Sequence, residues 1–510
     1  MTEDDRRLVR PYLLANLALT SVTAYFSYAY FHLDEYFQVL EFARFKLGDV
    51  QAWSLPWEYT AQMRPWAQPY LYVLVAKGLG IFGLRDPFAL AFVFRLLTGL
   101  ASWGALALFL RTTVPWLATV EEKRLHVRVA TLLGFLPYLF VRTSSETASM
   151  AAFTAAWAIA LEGRRDASLV LSLPRAFLVG ILAGLAFEFR FQTVFLALGL
   201  FAWLAVIARI SPRVLGAMVL GGTAVVASSL LVDHAGYGAW VFPPLTYART
   251  NLLEGVAAFF GADPPFAYAW MLPANLFFPI VVVLLVLAVV AWIRHPRNPL
   301  TWTTVPFFLV HNLLSHKEER FLFPMAILAT GFVVMAIGPS SGRPLRISAW
   351  GWKHRQGVLA ASLTAWSTVV MLLLAIWPIG WNHHVRFQRH IYETIGGDLH
   401  AYALPDFDLG LPAFHGPVYD VEKQTPEQIA ADLDAPGARA WLITDSPSLH
   451  TGVGKLDRRA TLVWSEVPFF EHPALASFFV RLADGYDAHA KAPLRPIHFR
   501  SLYRLDPKPR

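Results

Sequence analysis

The chain has 510 residues, of which 56% are hydrophobic and only 15% charged, and its mean hydropathy is +0.44. Many apolar runs reach the ~17–25 residues that cross a bilayer, so the composition indicates a polytopic membrane protein. The formal net charge of +7 is spread over short loops, as the positive-inside bias of membrane proteins requires, and does not indicate a nucleic-acid-binding protein. Since the chain contains no cysteine, disulfides, thiolate metal sites and thiol catalysis are excluded.

The first apolar run, residues 11–31, follows three arginines in a short N-terminal tail. It is too long for a cleaved signal peptide and lacks a small-residue cleavage site, so it predicts a first membrane-spanning helix with a cytoplasmic N-terminus. The loop 32–66 mixes carboxylates with aromatic residues. That mixture favours an amphipathic element at the outer interface, whether extracytoplasmic or lumenal.

Further apolar runs continue to Pro378 and predict about 11–13 crossings within a transmembrane region of residues 1–379. Loops rich in arginine and lysine alternate with loops that carry few. This alternation places the loops 32–66 and 233–272 and the charged cluster 316–320 together on the outer face. The basic loop around residues 123–128 conflicts with strict alternation, so the number of crossings stays a range.

The character of the sequence changes after Pro378, where mixed polar sequence replaces the long apolar runs. Residues 440–444 and 461–464 are strand-like, and residues 425–433 begin with a threonine cap and a proline in the first helical turn. The sequence therefore predicts a soluble α/β domain over residues 380–510 on the outer face.

Two adjacent carboxylates, Asp34 and Glu35, stand just beyond the first helix. Because adjacent side chains point in different directions on a regular element, we expect one general base and one positioning or structural carboxylate. We favour Asp34 as the base, with Glu35 as the alternative. The non-catalytic interpretation is an acidic pair that marks the end of the span, and for nearby His32 and Glu41 a solvated position is favoured.

A second cluster places five charged or titratable residues, His316 to Arg320, between two apolar segments. Ionised groups at membrane depth are costly unless they are paired or wet, so the cluster is either a self-paired solvated loop or a functional site. Arg142 and Glu146 stand at the spacing of a helical ion pair. Arg190 lies among aromatic residues at a predicted helix end, where snorkelling explains it nearly as well as ligand binding.

These stretches together resemble glycosyltransferase family 22 of the GT-C superfamily, which includes mannosyltransferases of glycosylphosphatidylinositol anchor synthesis and of asparagine-linked glycan assembly. His316 to Phe321 resembles the family's HKEeRF signature, and His32 to Glu41 resembles HPDE-x-x-Q-x-x-E with Leu33 in place of the usual proline. Further similar stretches are Trp57-Glu58-Tyr59, Arg64-Pro65-Trp66, Arg142 to Glu146 without the usual asparagine, and the anchor-type segment from Tyr237 to Tyr268.

The resemblance implies a GT-C membrane enzyme that transfers mannose, with inversion, from a polyprenyl phosphate (dolichyl phosphate in eukaryotes) to a glycan or glycolipid hydroxyl. One carboxylate would take the acceptor proton, and cations would stabilise the leaving phosphate. The residues expected at the donor phosphate and sugar are His316, Lys317, Glu319, Arg320, Arg142 and Arg190. Glu318, like Glu319, is expected to hold these cations or to contact sugar hydroxyls. The other expected substrate contacts are His32, Gln38, Arg64, Tyr237 and Asn251.

The expected partners are the lipid-linked donor, the acceptor and membrane lipid, with no nucleic acid. Since a lipid-phosphate donor brings no pyrophosphate for a metal to bridge, we expect neither a metal nor a cofactor. The alternatives are the same machinery with another lipid-linked sugar, or a transporter or lipid-binding protein, which would favour mid-helix charges and repeat symmetry. The composition favours a bacterial cytoplasmic membrane over an endoplasmic reticulum membrane.

Overall fold

The computed structural model divides into two compact units, Met1–Ile379 and Gly380–Arg510. It describes residues 1–28, 30–162, 164, 169–275, 279–338, 349–376, 382–396, 399–405, 407, 420–433, 435, 437–444, 460–465 and 500–506.

The first unit is helical throughout its described part, since a helix satisfies its backbone hydrogen bonds within the segment and so tolerates an apolar surrounding. Its α-helices are α1 (Glu3–Phe26), α2 (Glu41–Leu47), α3 (Trp57–Thr60), α4 (Ala67–Ile81), α5 (Pro87–Thr113), α6 (Val120–Leu132), α7 (Leu136–Phe140), α8 (Ser145–Leu161), α9 (Leu173–Phe189), α10 (Val194–Val206), α11 (Pro212–Tyr237), α12 (Pro243–Ala248), α13 (Val256–Phe259), α14 (Tyr268–Asn275), α15 (Ile280–Arg294), α16 (Pro299–Leu313), α17 (Ala326–Ile337) and α18 (Ala349–Ile376). Short π-helices cover Tyr36–Leu40 and Arg249–Leu253, and 3₁₀-helices cover Ala52–Ser54, Val114–Trp116, Phe191–Thr193 and Glu319–Met325.

Three helices of the described residues are long and apolar enough to cross a membrane by length and composition, namely Pro87–Trp116, Pro212–Tyr237 and Glu319–Ile337. Shorter apolar helices cover Phe191–Val206, Ile280–Arg294 and Thr364–Ala375. The range of about 11–13 crossings stays a prediction.

Helix ends place the polar residues of this unit. Ser144 caps α8 by accepting a hydrogen bond from the backbone N–H of Thr147, which puts Glu146 in the first helical turn. The chain leaves α9 at Arg190, whose backbone is extended, before a 3₁₀-helix leads into α10. The 3₁₀-helix Glu319–Met325 carries Arg320 at the entry to α17.

The helices α9 and α11 pack backbone against backbone. A Cβ atom added at Gly180 would lie 1.9 Å from the carbonyl oxygen of Met218, and one at Gly221 would lie 2.2 Å from that of Phe177. Small residues at such a crossing let two helices approach closely, as is common in membrane bundles. This contact fixes α11, whose C-terminal end reaches the site described below.

The second unit contains α19 (Asn382–Ile395), α20 (Pro426–Asp432) and five strands. The strands are β1 (His400–Ala403), β2 (Asp420–Lys423), β3 (Trp441–Thr444), β4 (Ala460–Ser465) and β5 (Ser501–Leu505), in the sheet order β2-β1-β3-β5-β4. β1 is parallel to β2 and β3, and β5 is antiparallel to β3 and β4. Two apolar clusters pack on it, one around Ile391 and Ile443 and one around Ile429 and Leu442. The predicted strands near 440–444 and 461–464 and the helix capped by Thr425 are confirmed.

Candidate active site

The two charged clusters of the sequence meet in the structure. The loop after α1 brings the Oδ2 atom of Asp34 to 2.5 Å from the Nη2 atom of Arg320. These residues are 286 positions apart in the chain. Asp34 lies two residues before the π-helix Tyr36–Leu40, and Arg320 lies in the 3₁₀-helix Glu319–Met325. The contact makes one site of the first loop and the cluster 316–320.

Arg320 is the centre of this site. Its guanidinium also lies 3.3 Å from the Oε1 atom of Glu146 and donates through Nε to the carboxylate of Glu318. The side chain is only 4% exposed, so three carboxylates replace the water that it loses. The planar fork of arginine suits such a role, because it offers donors in several fixed directions.

Asp34 keeps a partly open position, with 26% of its side chain exposed. Gln38 donates to the Oδ2 atom of Asp34 at 2.6 Å. The backbone N–H of Asp34 donates to the Nδ1 atom of His32. Burial acts to raise the pKa of Asp34, but the positive charges of Arg320 and then Arg64 outweigh it and hold the pKa below the ordinary value of 3.8. The carboxylate is therefore ionised at neutral pH and accessible, as a general base must be.

Glu35 has a different environment from its neighbour, with only 3% of the residue exposed. Its carboxylate accepts backbone hydrogen bonds from Phe31 at 2.8 Å and from Thr143 at 3.1 Å. Burial raises its pKa. Glu35 thus ties the first loop to the segment before α8, and the choice of Asp34 as the base stays a prediction that this contrast supports.

Arg142 and Arg190 both reach the site but have different partners. Arg142 donates to the carbonyl oxygen of Tyr138 and to the hydroxyl of Ser27, and its guanidinium lies 4.4 Å from the centre of the Tyr138 ring. The carboxylate of Glu146 pairs with Arg320 and with Arg190, whose Nη1 atom is 3.3 Å away. The spacing of Arg142 and Glu146 is that of a helical ion pair, but the cations paired with Glu146 in the structure are Arg190 and Arg320.

Lys317 is nearly fully buried, and its ammonium donates to the backbone carbonyl groups of Asp263 and Leu314. The Asp263 backbone N–H donates in turn to the carbonyl oxygen of Ser315 at 2.8 Å. These bonds attach the loop 233–272 to the charged cluster. In this structure Lys317 connects two segments, and its expected contact with a phosphate stays a prediction.

Two histidines surround Glu318. The Nε2 atom of His316 lies 2.9 Å from its Oε1 atom, and the Nε2 atom of His32 lies 3.5 Å from its Oε2 atom. Burial acts to raise the pKa of Glu318, but the hydrogen bond with His316 and the charge of Arg320 hold it well below the ordinary value. The third expected residue of the cluster, Glu319, faces an apolar cavity described below.

The remaining expected contacts form a second layer around Arg64. Its Nη2 atom lies 3.2 Å from the Oε1 atom of Glu58, and the same Glu58 oxygen accepts from Gln38 at 3.3 Å. The hydroxyl of Tyr237 donates to the carbonyl oxygen of Arg64 at 2.7 Å and accepts from its N–H at 3.1 Å. Tyr237 thus holds the backbone of Arg64.

Among the described residues, Asn251 has no hydrogen bond with Asp34. Its side-chain amide donates to the carbonyl oxygen of Tyr247, which lies four residues earlier, in α12. The Tyr247 ring lies 5.4 Å from the guanidinium of Arg64, and its hydroxyl bonds to Gln192. Asn251 therefore supports Tyr247, which in turn contacts Arg64.

The sequence did not single out Glu58 and Glu146 as site residues, although each lies in a stretch that resembles the family. Glu318, which was expected to hold the neighbouring cations or to contact sugar hydroxyls, pairs with Arg320. The signal for Glu58 and Glu146 was present in the segments Trp57-Glu58-Tyr59 and Arg142 to Glu146. Two further residues had no such signal. Gln68 donates to the carbonyl oxygen of Thr143 at 2.9 Å, and Asp233 accepts from the backbone N–H of Trp66 at 2.8 Å.

An apolar cavity of about 120 Å³ adjoins the site. Aliphatic and aromatic side chains of α7, α14, α15 and α17 form most of its wall, together with Phe31, Arg142 and Glu319. Such a wall suits a hydrocarbon chain with a charged group at one end. Within the described ranges, no group of three or more His, Cys, Asp or Glu side chains is arranged to hold a metal ion, and metal independence stays a prediction.

Comparison with known proteins shows the family. The profile of the Alg9-like mannosyltransferase family matches residues 12–401. Mannosyltransferase APTG1 of Arabidopsis thaliana is 24% identical over 325 residues, which cover 62% of this chain and 56% of the relative. GPI alpha-1,2-mannosyltransferase 3 of Homo sapiens is 24% identical over 324 residues, covering 61% and 55%. The chain thus spans about half the length of these relatives.

A solved structure shows the fold. ArnT from Cupriavidus metallidurans, bound to undecaprenyl phosphate, covers 98% of this chain and 98% of its own with a TM-score of 0.50 and 11% identity. The predicted GT-C fold of an integral membrane protein is therefore confirmed, as is the resemblance to family 22. On the family profile and the fold together, the chain belongs to the Alg9-like mannosyltransferase family of glycosyltransferases.

Proposed function

We propose that this protein transfers mannose from a polyprenyl-phosphate mannose to a hydroxyl of a glycan or glycolipid, and that it forms an α-mannosidic bond. Family membership supports the reaction class. The observation that carries the site is the carboxylate of Asp34, which is partly exposed and paired with buried Arg320. A β-linked donor and an α-linked product require inversion in a single displacement.

Asp34 is the general base of this proposal. As the acceptor oxygen bonds to the anomeric carbon, its proton passes to the carboxylate of Asp34, and the bond from that carbon to the phosphate oxygen breaks. The bonding electrons leave with the polyprenyl phosphate. Arg320 and Gln38 hold Asp34 in one orientation, so the proton acceptor is positioned before the substrate arrives.

Arg190 is the cation that we assign to the donor phosphate. It is buried, and its Nη1 atom has no hydrogen-bond partner among the described residues, although it lies 3.3 Å from the carboxylate of Glu146. Arg320, in contrast, already faces three carboxylates. A guanidinium with an unused donor stabilises a developing phosphate charge strongly in a partly dry site. The apolar cavity beside Arg142 and Glu319 would take the isoprenoid chain.

The reaction is proposed for the outer or lumenal face. The basic residues Arg209 and Arg213 flank the start of α11, and Tyr237 at the other end of this 26-residue helix contacts the site. Because basic residues collect on the cytoplasmic side, the site belongs on the opposite side. The same argument holds for a bacterial cytoplasmic membrane, which we favour, and for an endoplasmic reticulum membrane.

The test is release or transfer of mannose from a synthetic polyprenyl-phosphate mannose by the purified protein with a chelator present. We expect turnover by the wild type and a loss of at least about 100-fold in Asp34→Asn, because the general base is lost. The variant should stay folded with a lowered melting temperature, since Glu146 and Glu318 still pair with Arg320. The control is Glu254→Gln, which removes an exposed carboxylate paired with Arg249 and keeps full turnover.

Each other outcome has a definite meaning. Full turnover by Asp34→Asn contradicts the assignment of the base, and loss of wild-type turnover with the chelator contradicts metal independence. If the protein uses a lipid-phosphate donor that carries another sugar and does not use the mannosyl donor, the proposed donor sugar is wrong and the other sugar takes its place. Failure of every such donor favours a lipid-binding or transport protein.

A further inference from the structure

A second cavity lies beside the proposed base and is distinct from the apolar one. It has a volume of about 20 Å³, and its wall includes Gln38, Arg64, Gln68 and Ser145. Gln38 also donates to the Oδ2 atom of Asp34 at 2.6 Å, so one side chain separates this cavity from the base. A space of this size holds a single water-sized group, such as one hydroxyl.

Two residues of this wall have a buried polar atom without a partner among the described residues, the Nε atom of Arg64 and the Oε1 atom of Gln68. The amide of Gln68 is oriented by its nitrogen, which donates to the carbonyl oxygen of Thr143 at 2.9 Å and to the hydroxyl of Tyr72 at 3.3 Å. Its oxygen is therefore left as an acceptor. Leaving a buried donor and a buried acceptor unsatisfied is costly, so such atoms indicate a ligand group.

The wall matches the chemistry of a hydroxyl. A hydroxyl both donates and accepts, and here one residue offers an unused donor and the other an unused acceptor. A phosphate diester is too large for the cavity and has no O–H group to donate a hydrogen bond to Gln68, and an apolar group would satisfy neither atom. We propose that this cavity is a subsite for one hydroxyl of a sugar bound at Asp34, with Gln68 and Arg64 as its specificity-determining residues.

This inference rests on the proposed function and names the group that the site recognises. The hydroxyl belongs to the donor sugar or to the acceptor sugar, since both meet at Asp34. The experiment compares kcat/KM for polyprenyl-phosphate mannose and for its monodeoxy analogues, each lacking one hydroxyl. A parallel series uses methyl α-mannoside and its monodeoxy analogues as acceptors. The series that contains the sensitive analogue identifies the sugar.

We expect the wild type to lose about 10- to 100-fold in kcat/KM with one monodeoxy analogue. Without that hydroxyl, the Nε–H group of Arg64 and the Oε1 atom of Gln68 both lack a hydrogen-bond partner. In Gln68→Met, kcat/KM for the parent substrate should fall by a similar factor relative to the wild type. Removal of the same hydroxyl from the substrate should then lower kcat/KM of this variant little further. Arg64→Lys provides a second variant with the same expected coupling. Glu254→Gln is the control, because it changes an exposed pair with Arg249 outside the cavity wall and should leave the preference among analogues unchanged.

Equal losses with every analogue in Gln68→Met and Arg64→Lys, or no sensitive analogue in the wild type, would overturn the subsite. In both cases wild-type turnover of the mannosyl donor leaves the proposed function intact. No wild-type turnover of any mannosyl donor overturns the proposed function and the subsite together, so the two failures are distinguished by the wild type alone.

Discussion

Arg320 is held by three carboxylates that belong to three separate segments, the first loop, α8 and the charged cluster. A buried ion pair contributes little net stability when intact, because both partners lose water. Removal of one partner is expensive, since the others are left as uncompensated buried charges. The residue therefore acts on two properties at once, the stability of the site and the ionisation of Asp34.

Arg320→Lys tests whether the stability of the site and the ionisation of Asp34 depend on the shape of the arginine side chain or only on its positive charge. Lysine keeps the positive charge but offers no planar fork, so it cannot satisfy all three carboxylates. We expect the free energy of unfolding to fall by about 3 kcal/mol. We also expect the pKa of Asp34 to rise, so that the acid limb of the pH–rate profile moves to higher pH. Measured kcat against pH and thermal unfolding check both, with Arg249→Lys at an exposed pair as the control. An unmoved acid limb would contradict the role in ionising Asp34.

Glu41 gives a pH dependence of stability. Burial raises the pKa of its carboxyl to about 7, against the opposing charge of Arg44, and its Oε2 atom has no hydrogen-bond partner among the described residues. The folded state therefore binds a proton that the unfolded state releases between the ordinary value of 4.5 and about pH 7. In that window the contribution of Glu41 to stability falls as the pH rises.

Glu41→Gln should remove this loss, because the amide carries no charge at any pH. We expect the variant to unfold with about 2–3 kcal/mol more free energy than the wild type near pH 8 and with little difference near pH 4. Thermal unfolding across this range measures the effect, and Glu254→Gln at an exposed site serves as the control. Equal stability of the variant and the wild type near pH 8 would show that folding does not raise the pKa of Glu41.

At the scale of elements, the C-terminal end of α11 holds the segment Arg64–Trp66. Asp233 accepts from the backbone N–H of Trp66, and Tyr237 binds both backbone groups of Arg64. Gly236 between them lets the indole of Trp66 lie directly against the helix. The position of Arg64 in the site thus depends on a helix about 170 residues later in the chain.

Gly236→Ala tests this arrangement. The added Cβ would lie 2.2 Å from the ring of Trp66, so the segment Arg64–Trp66 must move. We expect a stability loss of about 1–3 kcal/mol and a fall in kcat/KM. Gly216→Ala in the same helix is the matched control, since nothing lies within 4 Å of its added Cβ, and it should gain up to about 1 kcal/mol. Equal behaviour of the two variants would contradict the proposed clamp on Arg64.

The first loop shows how far element-level prediction reaches. Its aromatic residues favoured an amphipathic element at the interface, yet Phe42, Leu55 and Trp66 form a buried cluster that includes Tyr237 at the end of α11. The pattern of apolar residues indicates which side chains avoid water, but lipid and protein satisfy that requirement equally well. Only the position of α11 distinguishes the two. The π-helix Tyr36–Leu40 likewise had no signal in the sequence.

At the scale of the whole molecule, the second unit has its own apolar clusters around its sheet. We therefore expect residues 380–510, expressed alone, to unfold cooperatively. Ile443→Ala, at a fully buried strand position, should lower the free energy of unfolding by about 2–4 kcal/mol, whereas Lys423→Ala on an exposed strand position should not. Circular dichroism during thermal unfolding measures this, and a gradual, non-cooperative loss of signal would contradict an independent core.

The sequence by itself determined the membrane class, the helical unit, the strands near 440 and 461 and the family, because run length, hydropathy and short motifs are local properties of a chain. It also drew attention to Asp34 and to His316–Arg320. Only the tertiary structure decided that Arg320 meets Asp34 across 286 positions and Glu146 across 174. It also decided that Glu35 is buried where Asp34 is open. Burial, ion pairing and the spare donors of Arg64 and Arg190 depend on which distant segments pack together, and no local pattern specifies that packing.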